Sequence, residues 1–165
     1  MSVPVRDRNE SPVEYVDLGR KIRARVLRYC MQLPKRLTFF IATDTMDHAN
    51  AIAGETRSAN SIYVVTKEDA VDRRRCLIRA NNAIQRLDGN IGTIYDYLME
   101  NPEIFAEGMR ADTEESKRER DKKIRKGKRR VANATKEIAA MLNREAALIK
   151  GVKDSDRKRY KNLPE

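Results

Sequence analysis

Four kinds of residue in this 165-residue chain are of types that do chemistry: one histidine, two cysteines, several paired carboxylates and a surplus of Lys and Arg. His48 has Asp44 four residues before it, so the two can pair along one helix face. A surface histidine paired in that way is preferred over a catalytic one. Cys30 and Cys76 are 46 positions apart, form no CxxC pair and have only His48 to join them as a metal ligand, which argues against a zinc site or a disulfide scaffold. They are expected to pack as small hydrophobes. The paired acids Glu114/Glu115 and Asp69/Asp72 fall near helix starts, where they complement the helix dipole. No GxGxxG or GxxxxGK[ST] loop, GxSxG elbow or HExxH pair is present. The expectation is a protein without enzymatic activity, metal or cofactor. A nuclease would need a cluster of acids around a metal, and the sequence does not suggest one.

Basic residues remain as the candidate functional groups. Lys+Arg number 35 against 25 Asp+Glu, a formal net charge of +10, and the charge is unevenly placed. Residues 1–36 carry +5, residues 117–130 carry +8 and residues 150–165 carry +3, while residues 37–101 sum to −2. Within near-neutral residues 66–101, Arg75, Arg79 and Arg86 lie within about 40° of one another at 100° per residue. They are placed opposite Leu77, Ile84 and Ile91 as a solvent-facing stripe. Long charged side chains on a helix commonly do no more than keep an outer face wet. Three separate basic regions nevertheless favour a polyanionic partner, since phosphate contacts need only positioned Lys and Arg. The candidate nucleic-acid contacts are Arg20, Lys21, Arg25 and Arg28, the Arg75/Arg79/Arg86 stripe, and Lys122, Lys123, Arg125, Lys126, Lys128, Arg129 and Arg130. Aromatic residues make up only 5% of the chain, and no RNP, KH or zinc-finger signature is present, so contacts to backbone and shape are expected rather than base readout.

The elements that must carry these residues are helical. All five prolines (Pro4, Pro12, Pro34, Pro102 and Pro164) stand where apolar periodicity starts or stops. Ser11-Pro12-Val13-Glu14 reads as a capping box opening a first helix over about residues 12–33, lined by Tyr15, Leu18, Ile22, Val26, Tyr29 and Leu33. A second segment, about residues 38–60, aligns Ile41, Thr45, Ala49, Ile52, Thr56 and Ala59, small enough for close helix approach. A third starts at Thr66 and runs to Glu100, with Leu77, Ala80, Ile84, Leu87, Ile91, Ile94 and Leu98 in a seam of coiled-coil type. Asp112-Thr113-Glu114-Glu115 opens a fourth, charged on every face until Val131, Ala134, Ile138, Met141 and Leu148 restore an apolar stripe. Ile62-Tyr63-Val64-Val65 reads as an apolar linker packed on the bundle, and residues 151–165 as a basic tail.

Laid in that order, Leu33-Pro34-Lys35-Arg36-Leu37-Thr38-Phe39, Ala59-Asn60-Ser61-Ile62-Tyr63, Arg73-Arg74-Arg75 and Ala80-Asn81 resemble a family of bacterial four-helix-bundle proteins, as does Ile138 to Ile149 followed by Ser155 to Lys161. That family joins the accessory variability determinant proteins of diversity-generating retroelements to the proteins encoded in 23S ribosomal RNA intervening sequences. The resemblance covers about residues 13–100 and 131–162; the stretch 101–130 is longer and more charged than the family's connection. It implies a homopentameric barrel of bundles that associates with a reverse transcriptase and template RNA or cDNA to support mutagenic reverse transcription.

The expected architecture is an all-α, antiparallel up-down four-helix bundle with long third and fourth helices: an N-terminal arm at 1–11, the bundle at 12–150 with a charged insertion at about 102–130, and the tail. The expected protein is cytoplasmic, touches no membrane and binds RNA or DNA and a reverse transcriptase as a homo-oligomer. The competing expectation is an oligomeric protein-assembly module that binds no nucleic acid.

Overall fold

The structure is a computed structural model that describes residues 13–161 and 163. Four helices run antiparallel: α1 (Glu14–Gln32), α2 (Lys35–Ser61), α3 (Lys67–Glu100) and α4 (Glu114–Arg159), with a 3₁₀ turn at Pro102–Ala106. Each helix packs on its chain neighbours and α4 closes the square against α1. The all-α four-helix bundle is therefore as the periodicity predicts, and among the described residues there is no strand.

The three apolar faces read from α1, α2 and α3 form the core. Every residue of the α1 and α3 seams is buried, and the small α2 face buries Thr45, Ala49, Ile52, Thr56 and Ala59. The first-helix capping box falls on Ser11 and Pro12, outside the described residues. At α3 the Thr66 hydroxyl accepts from the Asp69 backbone N–H at 3.2 Å, and the Asp69 carboxylate accepts from the Thr66 N–H at 2.8 Å. These two bonds satisfy donors that a helix start leaves open. They also hold the Asp69 carboxyl below its usual range, chiefly through backbone N–H groups of Thr66 and Val65. Thr113 and Ser116 cap α4 in the same reciprocal way.

Four expectations are corrected. Helix α2 begins at Lys35, directly after Pro34, rather than near residue 38, because the Pro34 carbonyl at the N-cap accepts from the Leu37 and Thr38 N–H groups at 2.9 and 3.1 Å. The Ile62–Val65 linker is packed down only in part: Ile62 lies against the core, while Tyr63 is 86% exposed and Val65 54%. On α4 Val131, Ala134 and Ile138 are buried as expected, but the face continues through Leu142, Glu145 and Ile149, with Met141 and Leu148 only at its edge. Finally, α4 continues to Arg159, so most of the supposed tail is helix. What extends it is polar: Arg73 donates to Asp156 at 2.7 Å, and Arg157, Lys158 and Arg159 sit in the last turn, where cations favour the dipole.

Candidate nucleic-acid interface

The position of the basic run follows from helix register. Arg73 of α3 lies opposite Asp156 of α4, and α3 ends at Glu100, so its antiparallel neighbour runs out of partner at about residue 129. Residues 114–129 therefore project past the bundle as an arm about 24 Å long. Among the described residues the 3₁₀ turn packs against α4. Phe105 lies on Gly127 so closely that a Cβ there would meet the ring at 2.5 Å, and Glu103 pairs with Arg120. Gly108, at φ +79°, takes the left-handed conformation that turns the chain back toward the start of α4. The charged insertion is thus an ordered helix braced by its own connection.

Opposite the Arg120/Ile124/Gly127 face, Arg118, Lys122, Arg125 and Arg129 fall within about 60° of one another at 100° per residue. All four are exposed and form no ion pair with a described residue, as do Lys123, Lys126 and Arg130, while Lys128 is half-buried and likewise unpaired. Arg118 is not among the sequence candidates; its helix angle is the signal that finds it. Cations at 118, 122, 126 and 130 repeat every four residues and repel along one edge, at about 0.2–0.5 kcal/mol per pair. A bound polyanion relieves that repulsion.

The other sequence candidates divide. In α1, Arg20 and Lys21 both pair with Asp17, at 2.7 and 2.6 Å, and hold its carboxyl below its usual range through those bonds. Arg25 is drawn inward and clasps Glu137 of α4 at 2.7 Å, which makes it a bundle tie. Arg28 is exposed. Arg75, Arg79 and Arg86 do face solvent, but Arg75 pairs with Asp72 at 2.8 Å and Arg79 with Glu55 of α2 at 3.0 Å, with a further bond to the Cys76 sulfur at 3.3 Å. Arg86 alone of the stripe carries no internal partner among the described residues. The basic regions do not converge on one surface patch: residues 117–130 and the basic residues after 150 stand at opposite ends of α4.

His48 lies 3.6 Å from Asp44, whose carboxylate also accepts from Asn90 of α3 at 2.6 Å. Cys30 and Cys76 are buried and free, and burial pushes the Cys30 thiol up. Among the described residues no three His, Cys, Asp or Glu side chains come together as metal ligands, and no helix is long and apolar enough to cross a membrane.

Sequence reasoning missed Glu145. It is fully buried beside Gly19 of α1 and Thr56 of α2, and neither carboxyl oxygen has a hydrogen-bond partner among the described residues. Burial first, and the Glu14 carboxylate second, push it up to about 8. Its place between Leu142 and Ile149 on the inward stripe is the signal that could have found it.

No known protein family matches the chain, and no curated protein or solved structure is similar to it.

Proposed function

We propose that this chain is a non-catalytic nucleic-acid-binding accessory protein that grips the phosphate backbone with the N-terminal arm of α4. The observation that carries the reading is the set of exposed cations at 118, 122, 125 and 129, unpaired among the described residues and held on one face of an ordered helix that stands clear of the bundle. Such a surface attracts any phosphate backbone and reads no sequence directly. The family resemblance adds the setting: an accessory protein of a diversity-generating retroelement, working with a reverse transcriptase on template RNA or cDNA, as a homopentamer. A ring of subunits would repeat the arm and raise avidity without further contacts.

The test is the salt dependence of binding, read by fluorescence anisotropy on a labelled RNA duplex and on a single strand. Each phosphate that the protein ceases to neutralise lowers the slope of log K against log salt by about 0.9 on a duplex and about 0.7 on a single strand. Changing Arg118, Lys122, Arg125 and Arg129 together to Ala removes up to about 3 to 4 from that slope. An unchanged slope removes the arm from the interface, and no binding by the wild-type chain at physiological salt overturns the reading.

A second reading, a protein-assembly module, is favoured by the exposed apolar residues Phe39 and Phe40, whose rings meet edge to face at 5.3 Å, and by Met31, exposed near the end of α1. Contiguous exposed apolar surface marks contact sites. It would give the chain a self-association surface and leaves the arm without a role.

A further inference from the structure

A groove of about 320 Å³ runs between the start of α3 and the end of α4, at the opposite end of α4 from the arm. Its size is at the low end of the range for ligand clefts, about 300–1,000 Å³. Its floor is apolar, made by Ala70, Val71 and Leu77, and its rim is cationic, with Arg74, Lys153, Arg157 and Lys161. Those four cations form no ion pair with a described residue. The one carboxylate among the described lining residues, Asp156, is already engaged by Arg73. One aromatic ring lines the groove: Tyr160 at the end of α4, with the Arg159 guanidinium 5.7 Å from its centroid.

We propose that this groove holds one unpaired nucleotide of a single-stranded nucleic acid, its base against Tyr160 and the apolar floor and its flanking phosphates on Arg74, Lys153 and Arg157. The proposal rests on the nucleic-acid reading above and goes beyond it by naming a second site with a different preference. The arm is a bare row of charge and suits any backbone. The groove adds an apolar floor and an aromatic face, which only a splayed base can use, because a duplex keeps its base faces stacked inside. The chemistry needs nothing of base identity, since every base offers a π-face.

The experiment compares a short labelled oligouridine with a labelled RNA duplex by anisotropy. Tyr160→Ala is expected to weaken oligouridine binding by about 5- to 140-fold, the range for losing one stacked base, and to leave duplex binding within about two-fold. Tyr160→Phe is expected to retain binding to both. Arg74→Glu with Arg157→Glu, both on exposed positions, is expected to cost the oligouridine more than the duplex. Wild-type binding to both probes with Tyr160→Ala leaving the oligouridine unaffected, or weakening both probes alike, overturns the groove and leaves the arm standing. Binding of neither probe by the wild type overturns the parent reading and this one with it. Circular dichroism of the Tyr160→Ala chain separates a loss of stacking from a loss of folding.

Discussion

Replacing the buried Glu145 with Gln should stabilise the protein at neutral pH and leave it unchanged in acid. The side chain is fully buried, faces Gly19 and Thr56, has Tyr15 and Glu14 nearby, and has no partner on either oxygen among the described residues. Its pKa rises from 4.5 to about 8 on folding. Below about pH 4.5 the group is protonated in both states and carries no penalty. Between 4.5 and 8 the unfolded chain releases a proton that the folded chain keeps, so stability falls as pH rises, by up to about 1.4 kcal/mol per pH unit. The loss accumulated by pH 7 is about 3 kcal/mol. Gln keeps the shape and cannot ionise. For a chain of this size that amounts to a rise in Tm of about 6 to 12 °C at pH 7, shrinking to nothing near pH 4.5. Thermal unfolding followed by circular dichroism over that pH range reads both values. Parallel profiles for wild type and Glu145→Gln would refute the reasoning, since they would mean that the carboxyl is solvated or partnered in solution.

The two glycines within α4 should respond in opposite directions. Gly151→Ala meets nothing within 4 Å and should add about 1 kcal/mol, whereas Gly127→Ala drives a methyl into the Phe105 ring and should loosen the 3₁₀ turn from the arm, read as faster proteolysis of residues 102–130. Arg73→Ala removes both the bond to Asp156 and a 2.8 Å bond to the Ala59 carbonyl, and should cost about 2 kcal/mol in urea unfolding. Phe39→Ser with Phe40→Ser should shift any self-association measured by sedimentation velocity toward smaller species, with the monomer's Tm unchanged because both rings are exposed.

How much was legible depended on whether a segment is held by apolar periodicity or by polar contacts. The α1 and α3 seams were readable because each inward position is aliphatic or aromatic at spacings of three and four. The α3 cap was readable because the acidic residues opening its first turn are a local signal. The far end of α4 was not, since Val152, Lys153, Asp156 and Tyr160 continue the inward face with only one aliphatic residue among them. Nor was the fate of individual arginines: Arg25 and Arg79 look like free cations in sequence, and it is tertiary register that brings Glu137 and Glu55 to them. The arm is the converse case. Its charge was plain in the sequence, but its projection follows only from α3 ending thirteen residues before α4 begins, and from where Arg73 meets Asp156.

The unbroken length of α4 makes it a ruler. Lys122 on the arm and Arg157 at the groove stand on the same rigid helix, about 52 Å apart at 1.5 Å per residue. A strand that engages both ends at once must reach at least that far, and a shorter piece occupies one end and leaves the other open, so the helix itself sets the length of nucleic acid that one subunit can hold at two points.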